Sequence, residues 1–521
     1  MNLPKREVKN ITYGNDSRSK LLSGATKIYQ AVSSTYGPAG YNVILGMPYG
    51  DSTLTRDGVT VAKRVVLEDR AEDDAAQILR QASEKTNKSA GDGTTATIVL
   101  GYNLFKEGNK RIAAGESGMK IKKQLYEDSK KVIDYLTSNS ESADGKLLDV
   151  ATVSAGDPAI GQLVANTLEE IGEGGGITIR EQDYPTVDVE QVNGYYFDKG
   201  FFALNQAVEY ANPLIFVTQK QIASNSDIIP LLSKVVNGDN KNLVIIGDVR
   251  ANSDAMNTLL LNIMQKKLNA VVIPPPAFNE DAVLFMQDIS LYVGATLFTS
   301  ADDIKTVKER DEFFGTAERV QVSQEKAIIF KGGGSFEDVT DRASQIKQQI
   351  TKATGAHRKD QLEQRYAKLT GKIAIVNVGG STPTEMEELR YRVEDAIEAT
   401  KSAMADGVLP GGGTSIVRAL ELDISPTFKQ ALVNTFRKLM DNADESADYR
   451  LEQLKRAKYG YGFNLRDMTD EPIDLKKAGI WDATRAVVQT IENATSAAGS
   501  LLTVGVIIDP IDQEGPHFEE N

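Results

Sequence analysis

Apolar residues recur at helical spacing through most of the first third of the chain. In residues 20–34, Leu21, Ala25, Ile28 and Val32 fall on one face, which predicts an amphipathic helix. The run Tyr36-Gly37-Pro38-Ala39-Gly40 punctuates its end. Residues 42–45 and 53–55 read as strands, followed by the turn Arg56-Asp57-Gly58. Helical runs then cover residues 72–88, 94–110 and 119–138. The middle third has a different texture. A strand at 243–247, a helix at 253–268 and a strand at 270–273 form a β-α-β unit. Two segments there carry more apolar residues than a surface stripe of about 100 degrees needs. Residues 227–237 hold Ile228, Ile229, Leu231, Leu232, Val235 and Val236, and residues 253–268 hold Met256, Leu259, Leu260, Leu261, Ile263, Met264 and Leu268. Two readings stand: both helices are deeply buried, or part of each face stays open to bind another apolar surface. Glycine clusters at 172–176, 332–334 and 411–413, with Gly194, Gly379 and Gly380, mark borders that read as turns or as hinges.

One loop has the composition of a phosphate site. Ala90-Gly91-Asp92-Gly93-Thr94-Thr95-Ala96-Thr97 offers a carboxylate and three hydroxyls, and opens onto the helical run at 94. Free amides at a helix N-terminus favour an anion, and glycines let it approach the backbone. Asp92 is a hard oxygen ligand suited to Mg2+, which prefers a few carboxylates plus phosphate oxygens. No G-x-x-x-x-G-K-[ST] sequence occurs, which removes the Walker reading. The competing reading is an ordinary helix cap by Asp or Thr.

Composition narrows the class. A chain of 521 residues suggests roughly three domains. Hydrophobic residues at 41% and charged residues at 25% suit a globular chain rather than a disordered one. The net charge of -14 argues against a nucleic-acid partner. No apolar run approaches the length of about eighteen residues that spans a bilayer, so no membrane partner is expected. Met1-Asn2-Leu3-Pro4-Lys5-Arg6-Glu7 lacks a signal-peptide core, and a cytoplasmic location is expected. There is no cysteine, and the histidines His357 and His517 stand far apart, which removes thiol and histidine chemistry.

Several motifs occur together in a fixed order. They are Tyr13-Gly14-Asn15-Asp16-Ser17-Arg18, Tyr36-Gly37-Pro38-Ala39-Gly40-Tyr41-Asn42-Val43, Thr55-Arg56-Asp57-Gly58-Val59 and Ala90-Gly91-Asp92-Gly93-Thr94-Thr95. Arg392-Val393-Glu394-Asp395-Ala396, the loop 407–413 and Ile480-Trp481-Asp482 follow. In this set the chain resembles GroEL-type (group I) chaperonins, as a divergent member, from about residue 8 to residue 508. The resemblance implies a multidomain α/β and α fold. A mainly helical equatorial ATP domain would comprise 1–136 and 408–521, a small intermediate domain 137–193 and 380–407, and an α/β apical domain 194–379. Gly194 and Gly379 match the upper hinge and Gly407 the lower one.

The same resemblance implies an ATPase coupled to protein folding, with ATP and Mg2+ as ligands. Thr35, Gly37, Pro38, Gly93, Thr94 and Thr95 match phosphate contacts, Asp92 the magnesium ligand, and Asp57 and Asp395 the carboxylates needed for hydrolysis. Nothing in the sequence gives all three carboxylates another duty, although Asp395 lies in an acid-rich run that also reads as a solvated face. Gly412, Asn464 and Asp482 match the adenosine end. Phe201, Ile229, Leu232, Met256, Leu260 and Leu261 match an apolar surface for unfolded polypeptide and a co-chaperonin lid. A homo-oligomeric ring of about seven subunits would repeat that surface, so weak contacts add. The expected function is therefore capture, encapsulation and folding of unfolded chains. The alternative is a ring-forming holdase or scaffold with weak ATPase activity.

Departures from the family pattern are specific. Ala96 stands where a third threonine is common, Arg56 where lysine is typical, and Leu465 and Arg466 where small residues follow Asn464. Ala203 and Asn205 replace polar and aromatic members of the apical surface, and Pro383-Thr384 replaces an acid used between neighbouring subunits. Residues 441–450 diverge where rings meet, and 514–521 lack a Gly/Met tail. Such divergence suits a viral copy, such as one carried by a virus of bacteria, or an accessory copy.

Overall fold

The computed structural model describes residues 9–46, 53–172, 176–182, 184–197, 200, 207–275, 279–299, 301–324, 326–353 and 356–510. The chain divides into two compact units, one of residues 1–166, 183–185 and 379–521, the other of 167–182 and 186–378. The expected equatorial segments all fall in the first unit and most of the expected apical segment in the second. Among the described residues no helix is long and apolar enough to cross a membrane.

The first unit begins with strand β1 (Lys9–Tyr13) and helix α1 (Gly14–Ser33), then a hairpin of β2 (Val43–Leu45) and β3 (Thr53–Thr55). Helices α2 (Gly58–Arg64), α3 (Arg70–Ala90), α4 (Thr94–Ala113) and α5 (Gly118–Ser138) follow. Next come α6 (Leu147–Ala155) and α7 (Pro158–Ile171). The spacing that predicts α1 is the spacing it buries: Leu21, Ala25, Ile28 and Val32 all face the core. Asp69 caps α3 by accepting from the Glu72 amide, and Gly91 ends it in the left-handed region at φ 69°.

The second unit is built on one nine-stranded mixed sheet. Its strands are β4 (Gly176–Glu181), β5 (Val187–Phe197), β6 (Val208–Ala211), β7 (Leu214–Val217), β8 (Asn242–Ile246) and β9 (Asn269–Ile273), then β10 (Phe314–Val322), β11 (Ala327–Gly332) and β12 (Lys372–Val378). The order is β4-β12-β5-β11-β10-β7-β8-β9, with β6 paired to β10. Helix α8 (Asn225–Asn237) precedes β8 and α9 (Asp254–Met264) joins β8 to β9, which run parallel from Asn242 opposite Asn269 to Ile246 opposite Ile273. That is the β-α-β unit legible in the sequence. Residues along β8 alternate between two cores: Val244 and Ile246 join one, Leu243 and Ile245 the other. Both faces are covered, which is why the strand reads as an unbroken apolar run. Helices α10 (Asn279–Val293), α11 (Phe336–Lys352) and α12 (Ala356–Thr370) contribute to the first core, α8 and α9 to the second.

The chain completes the first unit with α13 (Pro383–Asp406), β13 (Val408–Pro410), α14 (Thr414–Arg418), α15 (Pro426–Asn442) and α16 (Ala447–Arg456). Three short strands follow, β14 (Tyr461–Gly462), β15 (Ile473–Asp474) and β16 (Trp481–Ala483), then α17 (Thr484–Leu501) and β17 (Val506–Pro510). Helix α17 packs on α3, α4 and α5, and β17 pairs antiparallel with β1. Two ends of sequence thus close one helical core, in which Leu79, Ile98, Phe428 and Ile491 are buried together. Leu409 of β13 pairs with Asp482 of β16, which ties the two loops expected at the adenosine end.

Candidate functional site

A cavity of about 1050 Å³ opens within the first unit, lined by the loops after α1, β3, α3 and β13, by α6 and by one face of α13. Thr35, Gly37, Pro38, Asp57, Asp92, Gly93, Thr94, Thr95, Asp395, Gly412, Asn464 and Asp482, the expected catalytic and nucleotide contacts, all line it. They come from seven separate stretches of sequence.

The bend before α4 is not an ordinary cap. Its N-cap is Gly93 at φ 83°, with no side-chain hydrogen bond to the helix, so the amides of the first turn are left for a ligand. Only glycine fits at 93: a Cβ would lie 2.5 Å from Thr490 Oγ1 and 3.0 Å from the Ala486 carbonyl oxygen. The Asp92 carboxylate accepts from the Gly93 amide at 2.5 Å. On the facing loop, Thr35 Oγ1 donates to the Val32 carbonyl at 2.9 Å and lies 3.4 Å from Thr95 Oγ1. Asn442, in the divergent stretch 441–450, donates to the carbonyls of Ser33 and Tyr36 at 2.9 and 2.8 Å and holds that loop in place.

Asp57 also has a structural duty. It is the N-cap of α2, accepting from the Val59 amide at 3.1 Å, the Thr60 amide at 2.8 Å and the Thr60 hydroxyl at 2.5 Å. These bonds fix its carboxylate where the pocket needs it. Asp395 stands on α13, on a wall of the same pocket. Burial pushes its carboxyl well above the usual range, and the neighbouring Asp57, Asp92 and Glu394 push it further. Desolvation among the surrounding loops raises Asp92 as well, and burial lifts Asp482 to about 7 with help from Asp92. Carboxylates that repel one another in this way form a site that favours a cation. Among the described residues no cluster of three or more acids or histidines could hold a metal by protein ligands alone. One carboxylate, Asp92, beside an anion pocket fits Mg2+, which takes most of its ligands from phosphate and water.

Sequence reasoning missed several lining residues. Tyr391 and Arg392 lie one helical turn before Asp395, and Glu388 two turns before it, so the spacing could have found them. Leu148, Asp149, Thr152 and Val153 of α6 carry no such signal. At the substituted positions, Arg56 donates to the carbonyls of Gly37 and Pro38, Ala96 lines the pocket, and Leu465 is buried beside Phe463.

In the second unit the apolar helices divide. Leu232 and Met256, expected on a binding surface, are only 5% and 4% exposed and belong to the core between the helices and the sheet. Each falls on the inward side of its helix, because the sheet covers that side. Leu260 is half-buried against the same core. Ile229 and Leu261 are 49% and 55% exposed, and Met264 is 78% exposed. Phe201, Ala203, Asn205 and His517 lie outside the described residues, as does 514–521. Gly194 sits inside β5 opposite Phe330, Gly379 follows β12, and Gly407 ends α13 at φ 79°.

The solved chaperonin gp146 of bacteriophage EL 2 (Pseudomonas aeruginosa), crystallised in the presence of ATP-BeFx, superposes with a TM-score of 0.72 in crystal form II at 20% identity. Form I gives 0.62 at 21%, and both comparisons cover 96% of this chain and 98% of the phage chaperonin chain. At that identity the likeness is one of fold. The sequence itself matches the model of the TCP-1/cpn60 chaperonin family over residues 28–274 and 284–511. With motifs, fold and family match in agreement over nearly the whole chain, the protein belongs to the TCP-1/cpn60 chaperonin family.

Proposed function

We propose that this chaperonin binds ATP with Mg2+ in the cavity of the first unit, hydrolyses it, and uses the cycle to capture, enclose and release unfolded polypeptides. The observation that carries this reading is the convergence of Asp57, Asp92 and Asp395 on the uncapped N-terminus of α4. The phosphates lie against the amides and hydroxyls of Gly93, Thr94 and Thr95 and the loop of Thr35, Gly37 and Pro38. Asp92 would hold a Mg2+ ion, whose charge would offset that of the phosphates. Asp395 takes a proton from the attacking water. Asp57, locked by its cap bonds, completes the charge around that water. Gly412, Asn464 and Asp482 hold the adenosine end. The crystallisation of the phage chaperonin gp146 with ATP-BeFx supports the choice of nucleotide.

The chain's division into equatorial, intermediate and apical domains, with turning points at Gly194, Gly379 and Gly407, is part of the same proposal. So are a ring of identical subunits, a co-chaperonin lid and a cytoplasmic site of action. The client surface is Ile229, Leu261 and Met264, with Leu260 at its edge, and not the buried Leu232 and Met256.

Asp395→Ala tests the chemistry. It is expected to bind ATP with near wild-type affinity and to hydrolyse it about a hundredfold or more slowly, the usual range for loss of a general base. Wild-type turnover in this variant would remove Asp395 from the reaction.

A further inference from the structure

Arg466 lines the cavity and is exposed. Its guanidinium Nη1 donates to the carbonyl of Gly156 at 3.0 Å, joining the loop after β14 to the turn between α6 and α7. Gly156 ends α6 in the left-handed region at φ 70°. Helix α6 forms a wall of the cavity through Leu148, Thr152 and Val153.

That wall packs along α13, and polar contacts tie down its two ends. At its base the backbones of Glu141 and Val408 exchange hydrogen bonds of 2.9 and 2.8 Å, and Lys146 pairs with Glu141 and lies 4.3 Å over the Trp481 ring. At its tip stands the Arg466 bond. The root of Arg466 is fixed from within the pocket, because its amide donates to Asn464 Oδ1 at 3.1 Å. Arg466 also shares the cavity with Arg56 and Arg392, while Glu388 pairs with Arg392. Burial lowers the pKa of Arg56, and the charges of Arg466 and Arg392 lower it further. An anion in the cavity relieves that repulsion and so favours the arrangement in which the three arginines stand together.

We infer that Arg466 is a positioning residue that latches the α6–α7 turn over the occupied pocket and sets how long a nucleotide stays there. This rests on the reading of the cavity as an adenine-nucleotide site. A guanidinium-to-carbonyl bond is worth enough to slow release by about tenfold.

The test is the retention of radiolabelled ADP with Mg2+ by the full chain after dilution into unlabelled ADP. Arg466→Ala and Arg466→Gln, which shorten or remove the donor, are expected to release ADP about tenfold faster, with single-turnover hydrolysis of bound ATP within about twofold of wild type. Arg466→Lys, which keeps a charged donor, is expected to recover most of the retention. Arg466 is exposed, so none of these changes opens a core cavity. Wild-type release rates in both the Ala and Gln variants would overturn the latch while leaving the nucleotide site in place. A wild-type chain that retains no ADP at all would overturn the site reading and the latch with it.

Discussion

At the scale of single residues, the site works by holding carboxylates where they are least comfortable. Asp482 shows the consequence for stability. Its folded pKa of about 7 lies above the ordinary value of 3.8, so between those values the folded chain keeps a proton that the unfolded chain gives up. Stability from this group is therefore present at low pH and is lost as pH rises through about 7. Asp482→Asn, which cannot ionise, is expected to match the wild type near pH 4 and to exceed it at pH 8 by about 2 kcal/mol, as one pKa unit is worth about 1.4 kcal/mol and the cleft is partly wet. Calorimetry without nucleotide checks this, and an advantage that grows toward low pH would show the sign to be wrong. Asp92 and Asp57 were legible in the sequence as a bend and a turn. The mutual repulsion that defines their chemistry was not, because it depends on Asp395 arriving from a helix three hundred residues away in sequence.

At the scale of elements, helices α8 and α9 show how far periodicity reaches. Their apolar content announced two helices with wide faces, and both readings, burial and exposure, turn out to apply to different residues of each. Leu232 and Met256 face the sheet, while Ile229 and Leu261 face outward. Leu232→Ser is expected to destabilise the second unit by about 3 kcal/mol, since it removes a buried side chain and buries a hydroxyl. Ile229→Ser and Leu261→Ser are expected to leave the melting temperature nearly unchanged and to weaken capture of a denatured polypeptide severalfold, measured by suppression of its aggregation. Undiminished capture in the double variant would free this surface from the client role. Helix α4 teaches a related lesson. The sequence could not separate a capped helix start from an anion site, and the geometry of Gly93 removes the cap by leaving the first turn without a side-chain hydrogen bond.

At the scale of the whole molecule, the family membership predicts association. Light scattering on the purified chain with ATP and Mg2+ is expected to give a mass several times the 56.7 kDa of one chain. A single-chain mass across all concentrations would leave the proposed ring without support. The sequence by itself determined the helical first third, the β-α-β unit, the phosphate bend and, through the order of its motifs, the family. These are local patterns or short strings, and local spacing is enough to specify them. Tertiary structure alone decided the rest. It brought Asp57, Asp92, Asp395 and Asp482 around one cavity, set Leu232 inside and Ile229 outside, and carried Arg466 to Gly156. Each of those outcomes depends on which distant segment packs alongside, and neither spacing nor composition records that.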